Sequence, residues 1–269
     1  MAFSFLASNA GHVHVCGHRG YSARYPESTL PALQAAKAAG ATTVEIDVVL
    51  TADDEPIVLH DLTVDRTTDG HGFAADLTLE QIRRLDAGLR FGPSFAGTKV
   101  PTVAEALDWA KAEGMGIVLE IKEAERPDFA VDRAAAMLKA TDMLRQVVVI
   151  SFDHTVLKRG RERHPHLQTE AITHARHADF IGVLNACGAS SVSIELDMFR
   201  AEDARALHNA GFSNRLSMPR PEKLVEHWRG GRDPLPGVVQ WIADGLVDSI
   251  SGDDVPFLAR LVQRARRAG

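Results

Sequence analysis

The feature that most restricts the fold of this chain is an alternation. A short β-branched or apolar run is followed by an alanine-rich amphipathic stretch, and the pair recurs eight times. The runs are residues 12–16, 43–50, 117–121, 147–152, 168–172, 191–196, 213–217 and 247–250. The stretches are 28–39, 103–113, 129–141, 153–163, 175–186, 201–210, 236–243 and 255–267. Such alternation predicts parallel strands joined by crossover helices. Eight units close naturally into a (β/α)8 TIM barrel, the fold class expected here. In the first helix Leu30, Leu33, Ala36 and Lys37 fall at helical spacing with Gly40 as a stop, and Asp153 stands where an N-cap belongs. A chain of 269 residues without a Pro/Gly/Ser-rich linker is read as one barrel domain spanning residues 1–269.

One segment breaks the pattern. Residues 51–100 hold no single crossover helix and read as a small insertion after strand two. Thr51-Ala52-Asp53-Asp54-Glu55 is a polar turn, and residues 56–60 form a second extended run, so the two make a hairpin. A turn centred between Asp53 and Asp54 sets Asp47 opposite His60, and a slip of one residue would turn one of them to the other face. The remainder carries one short helical pattern, 79–85, and is expected to fold over the barrel mouth.

Composition excludes several classes. The net charge is −6, so no basic footprint for a nucleic-acid backbone exists. Cys16 and Cys187 are the only cysteines; a disulfide scaffold and a zinc ribbon are excluded, and a reducing, cytoplasmic setting is expected. No run approaches the ~18 apolar residues of a membrane span. The apolar opening, residues 1–6, is short and lacks the basic lead of a secretory signal.

Chemistry concentrates at the carboxyl ends of the predicted strands, where barrel active sites form. His18 and Arg19 follow strand one; Glu45 and Asp47, two apart, share a face of strand two; His60 and Asp61 end the hairpin; Glu120 and Lys122 share a face at the end of the next strand. A carboxylate pair on a strand is most often a solvated face. Here Val44, Ile46 and Val48 claim the outward face, so Glu45 and Asp47 point inward. Inward carboxylates require a cation, and Glu45, Asp47 and Glu120 supply the oxygen ligands that Mg²⁺ or Ca²⁺ prefers. His18 and His60 beside such a cluster are suited to proton transfer. Arg19 and Lys122 add positive charge suited to a phosphate, with the plainer alternative that Lys122 pairs with Glu120 or Asp47.

These residues lie in motifs that resemble the glycerophosphodiester phosphodiesterase family: Gly17-His18-Arg19-Gly20, Tyr25-Pro26-Glu27-Ser28-Thr29, Glu45-Ile46-Asp47-Val48, Pro56-Ile57-Val58-Leu59-His60-Asp61, Asp65-Arg66-Thr67-Thr68-Asp69-Gly70, Val100-Pro101-Thr102-Val103-Ala104-Glu105-Ala106-Leu107, Glu120-Ile121-Lys122 and Ser151-Phe152. The match is dense over residues 12–152. It implies a barrel with an insertion after strand two, a divalent metal on Glu45, Asp47 and Glu120, and His18 with His60 as the acid–base pair. The implied reaction cleaves a glycerophosphodiester to a phosphomonoester and an alcohol. Water or the glycerol 2-hydroxyl is the nucleophile, the latter through a cyclic phosphate. Which histidine is the acid, the oligomeric state and the leaving alcohol stay open.

The chain departs from the family in places. Ser28 stands where an Asn is usual, and the last strand, Val247-Asp248-Ser249-Ile250-Ser251-Gly252-Asp253, is a loose version of the family's. The seventh strand ends in Arg215-Leu216-Ser217-Met218-Pro219-Arg220 where a Trp-Thr pair and an Asn are usual. Loss of that aromatic, with Arg215, Arg220 and Glu195 nearby, points to a polyol, sugar or anionic head group over choline, unless Phe152 or Trp241 fills the gap. Tyr25, Phe73, Phe91 and Phe95 are expected to pack rather than line the pocket. Three rivals remain: a phospholipase D-like enzyme of the same superfamily acting on lysophospholipid, against which the insertion shows no contiguous apolar patch; a non-catalytic phosphodiester binder; and an unrelated barrel with structural histidines.

Overall fold

The protein is described from a computed structural model covering residues 3–268; Met1 and Ala2, which begin the apolar opening, and Gly269 lie outside it. Eight parallel strands, β1 (His14–Gly17), β2 (Thr43–Leu50), β4 (Gly116–Ile121), β5 (Val147–Ser151), β6 (Gln168–Thr173), β7 (Ser191–Glu195), β8 (Ser213–Ser217) and β9 (Ser249–Gly252), close by pairing of β1 with both β2 and β9. The short β3 (Pro56–Val58) pairs antiparallel with β2 outside the parallel set. This is the TIM barrel that the alternation predicts.

Strand alternation sorts the side chains into two layers. Val44, Ile46 and Val48 of β2, Ile117 and Leu119 of β4, and Val147 and Val149 of β5 pack outward against the helices, against Leu33, Ala36, Leu107 and Leu138 among others. Inside, Cys16, Val118, Val148 and Ile150 form a small apolar plug. The interior of β6 to β9 is polar instead: Glu170, Ser191, Ser193, Ser213, Arg215, Ser249 and Ser251 are all buried. One sector of the barrel is thus filled by aliphatic groups and the other by hydroxyls and one ion pair.

The helices start where their caps dictate. Thr102 and Glu105 form a reciprocal capping box at Val103–Glu113. The Asp153 carboxylate accepts from the Thr155 and Val156 amides at His154–Arg163. Two helical regions differ from expectation. Phe180–Cys187 begins five residues later than 175, because Asp179 caps it and Thr173 and His177 hydrogen-bond in the loop before it. The connection from β8 to β9 carries two helices, Pro221–Arg229 and Leu235–Ala243, where one is expected.

The hairpin register also differs by one. Leu50 pairs with Pro56 and Val48 with Val58, which sets Asp47 opposite Leu59 rather than His60. The cause is a five-residue loop centred on Asp53: the Thr51 amide donates to the Glu55 carbonyl, and Asp54 takes the left-handed φ of 63°. His60 follows the end of pairing, where the chain bends to bring it to the barrel mouth. Beyond it the insertion builds its own core from Val49, Ile57, Leu59, Val64, Ala74, Ile82, Ala87 and Val100, with the expected short helix at Leu79–Arg84. Among the described residues no helix is long and apolar enough to cross a membrane.

Asp153→Ala removes the only side-chain cap of His154–Arg163, the helix that follows β5. The variant should lose about 1 kcal/mol of stability, read as a lower urea midpoint at unchanged slope. An unchanged midpoint would show that the cap contributes nothing in this context.

Candidate active site

Parallel pairing of β2 with β4 sets Asp47 directly beside Glu120, and the two-residue period puts Glu45 on the same inward face. Their oxygens come within 4.8 Å of one another, and the residues are 1%, 0% and 7% exposed. Glu45 Oε1 and both Asp47 carboxylate oxygens are buried without any hydrogen-bond donor. Burial, then the neighbouring Asp47 charge, push the Glu45 carboxyl up to about 8. Glu120 is raised for the same reasons, in the same order. Buried acceptor oxygens that lack donors and lie this close together fit a hard divalent cation, which takes oxygen ligands and supplies the missing charge.

Cations surround the cluster. The Arg19 guanidinium lies between Glu27, at 2.8 Å, and Asp47, at 3.5 Å. Its backbone N–H donates to Glu45 Oε2 at 2.8 Å, possible because Arg19 adopts a left-handed φ of 54°. Gly20 completes the turn at φ 82°, where a Cβ would sit 2.6 Å from the Ala32 backbone. Lys122 Nζ is 2.6 Å from Glu120 and 3.7 Å from Asp47. Both cations are therefore engaged with the acidic cluster, as the plainer alternative for Lys122 anticipates.

Each histidine is braced by a carboxylate. His18 Nδ1 is 2.6 Å from Asp253 Oδ1, and His60 Nδ1 is 2.6 Å from Asp61 Oδ1. Neither Nε2 has a partner among the described residues, and both residues line one cavity of about 400 Å³ with Glu45, Glu120, Lys122 and Arg19. Burial lowers the His18 pKa, but the Asp253 hydrogen bond and the Glu45 charge outweigh it and hold it above the ordinary value. A network links the two sides: Arg66 forks onto Asp61 and onto Glu27, and Glu27 in turn holds Arg19. Burial alone would raise Glu27, but the two guanidiniums pull it down to about 2.

All seven residues singled out from sequence, His18, Arg19, Glu45, Asp47, His60, Glu120 and Lys122, thus gather at the carboxyl ends of β1, β2 and β4 and at the end of β3. Their carboxylate and guanidinium partners, Asp253, Asp61, Glu27 and Arg66, were not among the predicted site residues. All four sit inside motifs already noted, so position within a motif was the available signal. Tyr25, Phe91 and Phe95 pack on one another and Phe73 is exposed; none lines the cavity. Ser28 takes a left-handed φ of 58°, a shape that Asn adopts more readily than Ser.

A family model described as the glycerophosphoryl diester phosphodiesterase family matches residues 18–215. The chain belongs to that family. Its members are phosphoric diester hydrolases, and that is the enzyme class of this chain. The glycerophosphodiester phosphodiesterase of Caldanaerobacter subterraneus subsp. tengcongensis is 37% identical over 175 residues, 65% of this chain and 67% of that protein. Glycerophosphodiester phosphodiesterase 1 of Homo sapiens is 43% identical over 112 residues, 41% and 34% of the two chains. The chain thus spans two thirds or less of these relatives. A glycerophosphodiester phosphodiesterase structure from Agrobacterium tumefaciens superposes with a TM-score of 0.74 at 25% identity, covering 92% of this chain and 99% of that one. An Oleispira antarctica phosphodiesterase in complex with the product sn-glycerol-3-phosphate reaches 0.79 at 23% identity, covering 95% and 99%, a likeness of fold.

The raised carboxyls set a pH dependence for the metal-free protein. A carboxyl whose folded pKa is about 8 retains its proton in the folded state where the unfolded chain has lost it. Stability should therefore fall as pH rises from about 5 to 8. His18 acts in the same direction above its ordinary value near 6.5. Thermal unfolding of chelator-treated protein at a series of pH values should show a falling Tm across this window. A Tm that rises with pH would contradict the burial argument.

Proposed function

We propose that this chain hydrolyses a glycerophosphodiester to glycerol phosphate and an alcohol at the barrel mouth, within a single barrel unit spanning residues 1–269. The observation that carries the reading is the buried acidic cluster flanked by two carboxylate-braced histidines with free Nε2 atoms. Glu45, Asp47 and Glu120 would hold one divalent ion, Mg²⁺ or Ca²⁺, which when bound offsets negative charge on the phosphoryl oxygens. Arg19 and Lys122, held on the acidic cluster, would offset its charge and add positive potential where the phosphate binds.

Proton transfer follows from how the histidines are held. With Nδ1–H donating to a carboxylate, Nε2 presents its lone pair, or its proton once the ring is charged. His60 takes the proton of the attacking hydroxyl as the new P–O bond forms. His18 gives its proton to the departing oxygen as the old P–O bond breaks. Geometry supports this order, because His18 also lines a second cavity of about 510 Å³, formed with Glu195, Ser217, Arg220, Lys223 and Glu226, that would receive the alcohol. Among the described residues no Phe, Tyr or Trp lines that cavity, and its carboxylates, Glu195, Asp197, Glu222, Glu226 and Asp253, outnumber Arg220 and Lys223. The missing aromatic favours a polyol over choline, while the excess of carboxylates attracts a cation and argues against the anionic head group that the sequence also allowed. Phe152 lines the other cavity with its ring engaged by His174 at 4.5 Å and Lys122 at 5.7 Å, and Trp241 packs on Phe199. Neither lines the cavity assigned to the alcohol.

One observation favours a second reading. Four apolar side chains of the insertion, Leu62, Phe73, Leu89 and Phe91, are each 42–54% exposed. A lysophospholipid would present its acyl chain to apolar side chains of this kind.

Phosphomonoester release should depend on a divalent ion and stop with chelator. His18→Ala and His60→Ala should each lower turnover by ~10²–10⁴-fold. Retention of near-native turnover in either variant would remove that histidine from the reaction. Between head groups, kcat/KM for glycerophosphoinositol should exceed that for glycerophosphocholine by about two- to thirtyfold. A preference for the choline ester would refute the polyol assignment, and faster cleavage of lysophosphatidylcholine than of either would favour the second reading.

A further inference from the structure

Arg215 enters the sequence reading only as a neighbour of the missing aromatic and has no role in the site described above. It lies on the inward face of β8, two residues below Ser217 and so about 6–7 Å deeper in the barrel. It is 5% exposed, yet it lines the same cavity as His18, His60, Glu45, Glu120 and Lys122. Its Nε and Nη2 donate to Glu170 Oε1 of β6 at 2.9 and 2.5 Å, and the Ser191 hydroxyl donates to the other Glu170 oxygen at 3.0 Å. Nη1 has no hydrogen-bond partner among the described residues and is not among the sealed orphan atoms.

Packing does not account for this pair. The neighbouring sector of the same interior is filled by Val118, Val148 and Ile150. Apolar replacement of a buried ion pair is often neutral or stabilising. Glu170 consumes one edge of the guanidinium, which leaves a fixed, fully charged donor at the cavity wall. A planar guanidinium in this state is a strong partner for a phosphoryl oxygen. Arg19 and Lys122, by contrast, are drawn into the acidic cluster.

We propose that Arg215 is a substrate-binding residue: Nη1 donates to a phosphoryl oxygen from the depth of the cavity, while Glu170 and Ser191 hold the guanidinium in place. The assignment rests on the proposed reaction only for the identity of the anion as a phosphodiester. Glu170 is a positioning residue, because it acts through Arg215.

The test uses inorganic phosphate as the probe, with a divalent ion present, so that it does not depend on turnover. In crystals of the wild-type protein grown with phosphate, Nη1 should lie about 2.7–3.2 Å from a phosphate oxygen. Phosphate bound in the cavity with Nη1 more than about 4 Å away would overturn the proposal. Arg215→Met alone strands the Glu170 charge and is expected to unfold readily, so the solution arm uses the double variant Glu170→Met/Arg215→Met. Its Tm should stay near wild type, while its Kd for phosphate rises roughly 10- to 100-fold. An unchanged Kd in the folded double variant would make the pair purely structural, and if that variant does not fold, the crystallographic distance decides. Phosphate on Arg215 in a protein that leaves glycerophosphodiesters intact would uphold the anion site and refute the proposed reaction.

Discussion

Three carboxylates held within 4.8 Å of one another and away from water cannot all be charged without compensation. At an effective dielectric of 20, each charged pair at that separation repels by roughly 3–4 kcal/mol. The barrel forces the encounter, because parallel pairing sets Asp47 beside Glu120 and the strand period brings Glu45 to the same side. Much of the mouth can be understood as a response. Arg19 bends through a left-handed turn to present both its amide and its guanidinium, Lys122 folds back onto Glu120, and burial lifts the Glu45 carboxyl. A divalent ion completes the compensation that these groups leave unfinished.

The second consequence is a continuous polar chain. Asp47, Arg19, Glu27, Arg66, Asp61 and His60 follow one another through ion pairs and hydrogen bonds, joining the barrel interior to the insertion. The insertion therefore does more than cover the mouth: it delivers His60 and the carboxylate that orients it. On the opposite side Asp253, from the end of β9, performs the same service for His18. The two imidazoles are thus fixed by unrelated parts of the chain around one cavity.

Much of this was legible in the sequence, for identifiable reasons. The strand–helix alternation gives the barrel, and the period of two gives the inward direction of Glu45, Asp47 and Glu120. His18 and His60 fall at strand ends and were found. What escaped depended on geometry that residue types do not encode. The hairpin slipped by one because the loop holds five residues, a choice made by the left-handed Asp54. Asp253 lies 235 residues from His18, and Glu27 lies 39 from Arg66, so position in a motif marks them without naming the group each one holds. Arg215 was noticed only as a neighbour of the missing aromatic; its burial against Glu170 depends on strand stagger across β6 to β8. The helix at Pro221–Arg229 was missed because one crossover per strand pair is the default expectation.

The most direct measurement of the central claim is a calorimetric titration of Mg²⁺ or Ca²⁺ into the metal-free protein and into its Glu45→Gln variant. The account predicts one ion bound per chain in the native protein. In the variant, which removes one ligand charge while keeping the side-chain shape, that binding should weaken beyond detection. An absence of binding to the native protein, or equal affinity in the two, would contradict a metal centre built on these carboxylates.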